Sequence, residues 1–187
     1  MLSLLLVAAA CEPAALLGAL AKRDAVRCEL TQTKKSKLFK KALESKGTIA
    51  AKASGAFRFE TKTPAPSTLI VAGGRAIFES SSGREVLSLE KLPKVSAFLS
   101  AFSGLFTGRA DALLARFSAK AECSGAKSSV ALQPKDATFA DISALTLVLE
   151  GDVLTRILLE EKNGDASELV LSGCSDQGVS DKLFEAP

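Results

Sequence analysis

Apolar and polar residues alternate over most of the chain after the first forty-odd positions. Ile49, Ala51 and Ala53 share one parity, as do Phe57 and Phe59, Leu69 and Val71, and Leu87 and Leu89. The same pattern returns at Val130 and Leu132, at Leu145, Leu147 and Leu149, and at Ile157 and Leu159. A period of two puts each set on one face of a strand. Turn signals punctuate the run: Ser54-Gly55, Pro64-Ala-Pro66, Gly73-Gly74, Ser82-Gly83, Gly151-Asp152 and Asn163-Gly164-Asp165, the spacing of an antiparallel meander. Further strands are expected over Val26–Thr33, Phe117–Cys123 and Ser167–Ser172.

The period changes after Leu92-Pro93. Val95, Phe98, Leu99, Phe102, Leu105 and Phe106 recur every three or four residues, and no charge occurs between Lys94 and Arg109. This predicts a helix with an unusually greasy outer side. Shorter helices are expected over residues 13–23, where Pro13 suits a first helical position, and near Ala110–Arg116. The expected fold is mainly β with α: an unclosed antiparallel half-barrel of about eleven strands, curled over a helical lid.

Composition narrows the function classes. The chain of 187 residues has no His, Tyr or Trp. Ser–His and Cys–His nucleophile pairs and histidine metal sites are therefore excluded, no cofactor motif is present, and no carboxylate pair stands apart from surface charge. A non-enzymatic protein is expected. The net charge of +3 is too small to suggest nucleic acid. Lys34, Lys35, Lys37, Lys40 and Lys41 cluster locally. They read as a solvated hairpin loop or as a contact for anionic lipid head groups or an acidic partner.

Leu2–Ala10 has the length of a signal-peptide apolar region and is too short to span a bilayer. No Lys or Arg precedes it, which is consistent with a start further upstream. Ala8-x-Ala10 fits cleavage before Cys11, so residues 1–10 are expected to be a signal peptide and 11–187 one domain in the periplasm. Ala9-Ala10-Cys11 is also similar to a lipobox, which makes Cys11 a candidate for acylation and the outer membrane an alternative location. The four cysteines, Cys11, Cys28, Cys123 and Cys174, lie far apart with no CxxC, unlike a zinc site. With Cys11 acylated or removed, one disulfide at most remains. Cys123 and Cys174, each ending a strand-like run, are the expected pair.

Several segments, in order, resemble the periplasmic outer-membrane lipoprotein carriers (LolA). Leu30-Thr-Gln-Thr33 is similar to the F-T-Q-T of their first strand. Gly47-Thr-Ile-Ala-Ala-Lys52, Phe57-Arg-Phe59 and Leu69-Ile-Val-Ala-Gly-Gly-Arg75 resemble later strands. Leu132-Gln-Pro-Lys135, Asn163-Gly-Asp165 and Leu183-Phe-Glu-Ala-Pro187 resemble the remainder. The resemblance implies an unclosed barrel with a helical lid and a monomer carrying acylated lipoproteins. It also implies two partners, an inner-membrane ABC release complex and an outer-membrane receptor. Where the family has K-R-P, with an arginine that latches the lid, this chain has Lys52-Ala-Ser54, with Arg58 nearby. The segments Leu92–Arg116 and Arg156–Asp165 look closer to divergent relatives found with glycolipid or polyene pathways. A glycolipid or polyene cargo, or the role of lipidated receptor, are the alternatives.

Combining alternation and resemblance, Leu30, Ile49, Phe57, Phe59, Leu69, Val71, Ile77, Leu145, Leu147 and Leu149 are expected to line an acyl-chain cavity. Phe57 falls on a family position linked to cargo transfer. Val95, Phe98, Leu99, Phe102 and Phe106 are expected to form the lid.

Overall fold

The computed structural model describes residues 11–20, 23–37, 41–107, 110–135 and 137–185. The expected signal segment and Lys40 lie outside them. The first wing of the chain holds β1 (Ala25–Lys35), β2 (Leu43–Lys52), β3 (Phe57–Thr63), β4 (Ser67–Ala72), β5 (Arg75–Ser80) and β6 (Gly83–Ser88). The second holds β7 (Phe117–Ser124), β8 (Lys127–Pro134), β9 (Ile142–Glu150), β10 (Val153–Glu161) and β11 (Ala166–Ser175). They form one sheet in the order β6-β5-β4-β3-β2-β1-β11-β10-β9-β8-β7, with every pairing antiparallel. First and last strands thus meet at the centre. β6 and β7, neighbours in sequence, are opposite edges that do not pair.

That arrangement dictates where the helices lie. The chain must travel from one edge to the other, and α2 (Pro93–Thr107) and α3 (Ala110–Arg116) make the crossing over the concave face. α1 (Pro13–Ala19) packs beside α3 against β7 and β8. It ends at Ala19, and residues 21–22 of the 13–23 helix expected lie outside the described residues. The lysine-rich segment is also less of a loop than expected, because β1 runs to Lys35 and β2 begins at Leu43. The β4–β5 turn places Gly73 at φ 55° and Gly74 at φ 74°, the left-handed pair that a tight hairpin needs.

Alternation sorts the side chains. Concave-facing residues from both wings and the helices form one core. On the convex side, Ala50 and Ile70 are covered by the C-terminal segment, where Phe184 is 6% exposed and Val179 and Leu183 pack alongside. Arg58 Nη1 donates to the Leu183 carbonyl at 3.2 Å, and Lys52 pairs with Asp181. Arg58 therefore fastens the tail outside the barrel, not the lid inside it.

The expected Cys123–Cys174 pairing is corrected. Cys174 is on β11 and Cys123 on β7, four inter-strand steps apart, or about 19 Å along the sheet at ~4.8 Å per step. A disulfide tolerates at most about 7 Å between Cα atoms. Cys28 bonds Cys174 instead, with Cα atoms 4.1 Å apart, stapling β1 to β11 where the wings meet. Cys11 bonds Cys123 at a Cα separation of 6.0 Å, tying the segment before α1 to the edge strand. The Cys11 sulfur is thereby committed to a disulfide, which overturns its candidacy for acylation.

Candidate functional site

The ladder places apolar residues in rows across the concave face. Cys28, Ile49, Phe59, Leu69 and Phe78 are successive cross-strand partners from β1 to β5. Ala51, Phe57, Val71 and Ala76 form the adjoining row. On the other wing Leu169, Ile157, Leu147 and Val130 align from β11 to β8, and Leu159, Leu145 and Leu132 align beside them. Burying rows of this kind on one face is the main source of stability available to a curled sheet.

α2 fills the trough. Leu99, Ala101, Leu105 and Phe106 are buried, and Phe102 is half-buried. Phe102 is the hub of a ring cluster, with centroids 5.6 Å from Phe57, 6.0 Å from Phe98 and 5.6 Å from Phe106. Phe57, 1% exposed, also lies 6.2 Å from Phe106. Edge-on and offset ring pairs of this kind add about 0.5–1.5 kcal/mol each beyond burial.

Between α2 and the second wing remains a cavity of about 40 Å³. Ile142, Leu145, Ile157, Leu159 and Leu169 supply its sheet wall, and Phe98, Ala101, Phe102 and Leu105 its helical wall. Leu113, Phe117 and Phe139 close it. Every one of these side chains is hydrocarbon. The cavity offers no hydrogen bond and no acid, base or nucleophile; it can solvate alkyl groups and little else. It reaches solvent beside the first turns of α2, where Val95 is 40% and Phe98 38% exposed and where Phe98, Phe139, Ile142 and Leu159 continue into an open recess bounded by Lys94, Asp141 and Glu161.

Of the ten cavity residues expected from sequence, Leu145 lines this space. Leu30, Ile49, Phe57, Val71, Leu147 and Leu149 are buried on the same concave face, and Phe59 and Leu69 half-buried there. α2 packs directly over the first-wing residues, so the open space falls on the second wing. Ile77 is the exception. Parity turns it to the convex side, where it packs with Ala50, Ile70 and Phe184. The five lid residues all lie on α2. Ile157 and Leu159 also line the cavity and are marked by the alternation, whereas Phe139 comes from a 3₁₀ turn (Ala137–Phe139) that no periodicity marks.

Fold and site define an open antiparallel half-barrel whose apolar trough is capped by a helix. The chain belongs to the family described as outer membrane lipoprotein carrier protein LolA-like, whose model matches residues 7–183. That is a family of carrier proteins of the bacterial envelope. Among solved structures, a LolA superfamily protein from Nitrosomonas europaea is similar at a TM-score of 0.51 and 14% identity, covering 92% of this chain and 97% of its own. A DUF1329 family protein from Desulfovibrio piger has a TM-score of 0.52 at 13% identity, over 92% and 94% of the two chains. The Pseudomonas aeruginosa MucA/MucB complex contains a chain similar at a TM-score of 0.56 and 12% identity. The match covers 94% of this chain but 61% of that one. At such identities the likeness is one of fold. No curated protein matches the sequence.

Proposed function

We propose that the protein is a periplasmic carrier that takes up the acyl chains of lipoproteins and delivers them toward the outer membrane. The observation that supports this best is the wholly hydrocarbon lining of the cavity in a trough covered by a helix rather than by a second sheet. The enclosed space of about 40 Å³ is far below the roughly 300–1,000 Å³ of ligand pockets, and it opens into a recess of about 390 Å³, so an acyl chain entering from the recess goes deeper into the trough by displacing α2. In the closed form the helix takes the place of the guest, and the lining stays dry.

The energetics favour such an exchange. A 16-carbon chain gains about 12 kcal/mol from leaving water, at ~0.8 kcal/mol per CH₂. Three chains exceed the ceiling of about 18–21 kcal/mol for non-covalent affinity, so free dissociation through water is not a workable route. A lid that competes with cargo weakens the apparent affinity by the fraction of time it is open. The chain can then be passed on to another apolar surface.

An inner-membrane ABC release complex and an outer-membrane receptor are the partners this role requires, and one copy of the chain supplies the whole trough. The receptor alternative needs an acylated Cys11, and that sulfur is in a disulfide. A lipid hydrolase would need reactive groups that the lining lacks. Glycolipid or polyene cargo calls for the same hydrocarbon walls. Native mass spectrometry of the protein purified from the periplasm, followed by extraction of bound material, separates these cargoes. An acylated lipoprotein is the expected finding, and a glycolipid or polyene would move the pathway. An apo mass together with failure to take up a fluorescent fatty acid would refute the carrier role. Leu159→Glu, at a half-buried wall position, should abolish fatty-acid uptake while far-UV circular dichroism stays native. Unchanged uptake would displace the site.

A further inference from the structure

The lysine-rich hairpin singled out in the sequence has no part in the trough, yet the sheet register brings it to the trough's mouth. Lys35 pairs with Ala166, Ala166 with Glu160 and Glu160 with Ala144. Three inter-strand steps, roughly 14 Å at ~4.8 Å each, separate the end of β1 from the start of β9. One residue further along, Glu161 pairs with Ile142, and both bound the recess that exposes Val95 and Phe98. The Lys37 amide donates to Asp165 Oδ1 at 3.2 Å, joining the β1–β2 hairpin to the β10–β11 hairpin at that end.

Lys34, Lys35, Lys37 and Lys41 are all exposed. None forms an ion pair with another described residue. Leu43, 49% exposed, follows on the same hairpin. Lys94 stands at the mouth itself. Asp141, Glu160, Glu161 and Asp165 lie on the β9–β11 side of this end, and Glu44 pairs with Lys46 at 3.7 Å. Positive charge is therefore gathered on the hairpin flank of the mouth, with exposed apolar side chains beside it. That combination suits an anionic bilayer surface, which attracts basic residues and admits apolar ones between head groups. An acidic protein surface would use the lysines but leave Leu43, Val95 and Phe98 without a function.

We propose that this end of the half-barrel docks on anionic lipid, with Lys34, Lys35, Lys37 and Lys41 as the contact and the mouth held toward the bilayer. The proposal rests on the carrier reading for its purpose, because it places the mouth where acyl chains leave or join a membrane. Its test does not depend on that reading.

The test is cosedimentation of the full chain with vesicles of phosphatidylethanolamine and phosphatidylglycerol, against vesicles of phosphatidylcholine alone. Binding to the anionic vesicles is expected, and it should weaken as salt screens the contact. Each lysine at an anionic surface is worth about fivefold in partitioning. Combined Lys34→Glu, Lys35→Glu, Lys37→Glu and Lys41→Glu should therefore lower binding roughly a hundredfold or more. The same charge change at the exposed Arg75, Lys127, Arg156 and Lys182, none of which bounds the mouth, should leave most of it. Uptake of a fluorescent fatty acid from solution should be unaffected in both variants. Retained binding in the hairpin variant, equal loss in both, or no binding by the unaltered protein would each overturn the proposal; the last would leave an acidic protein as the hairpin's partner. Vesicle binding without fatty-acid uptake would refute the carrier role and leave the docking surface standing.

Discussion

Leu99→Ala separates a movable lid from a fixed core. Leu99 is 7% exposed and lies on the flank of α2 that faces Val71 and Leu89, away from the cavity. Truncating it removes lid packing and leaves the cavity wall untouched. Buried Leu→Ala changes cost about 2–5 kcal/mol; near the open edge of the trough the lower end applies, about 2 kcal/mol. If α2 lifts to admit cargo, Leu99 is exposed in the open form, and the whole loss falls on the closed form. The open fraction then rises about 30-fold, at tenfold per 1.4 kcal/mol, and the apparent affinity for an acyl chain rises by the same factor until the open form dominates. A titration with a fluorescent fatty acid reads the affinity, and urea unfolding reads the stability. The expected result is a less stable protein that binds more tightly. Unchanged or weaker binding by a folded Leu99→Ala variant would mean that α2 is part of a fixed core, and the exchange mechanism would fall with it.

Gly47→Ala should destabilise the fold by about 1–3 kcal/mol, because a Cβ there would stand 1.8 Å from the Glu60 carbonyl oxygen across the β2–β3 bulge; a urea midpoint within error of the unaltered protein would contradict that close approach. Arg58→Ala should cost about 1 kcal/mol, discounted for partial exposure, and expose the C-terminal tail to limited proteolysis while fatty-acid affinity stays the same. A change in affinity would give Arg58 the lid-latching role that the structure denies it. Removing the Cys28–Cys174 bond, which links residues 146 apart, should cost about 4–5 kcal/mol on the chain-entropy model, read as a large drop in the urea midpoint. Non-reducing peptide mapping should return the Cys11–Cys123 and Cys28–Cys174 peptides. A Cys123–Cys174 peptide would refute the strand order.

The family was legible as an ordered series of short segments, none specific alone, and the strands were legible because alternation is local. Whether Ile49 and Phe57 face a core depends only on parity within a few residues and on the fact that apolar rows cannot stay wet. The helix over residues 93–107 was likewise written in its own spacing, and its lack of charge after Lys94 announced that both its sides would be covered or used. Ile77 shows the limit of that logic. Parity says that Ile77 and Phe78 face opposite ways, but not which way is in. The convex side gained an apolar patch of its own only because Phe184 folds back from the far end of the chain.

The disulfides, the place of the cavity and the role of Arg58 were decided by tertiary structure, since each depends on which strands become neighbours. Cys123 and Cys174 look equivalent in sequence, but closing the sheet through β1 and β11 puts one at an edge and the other at the centre. The cavity lies under the second wing because α2, carried from edge to edge, leans on the first. Phe139 reaches it from a turn, through contacts no local pattern encodes. The amino-acid order determined a greasy-faced β protein with a greasy helix; the pairing of first strand with last determined which side of that helix kept an open cavity.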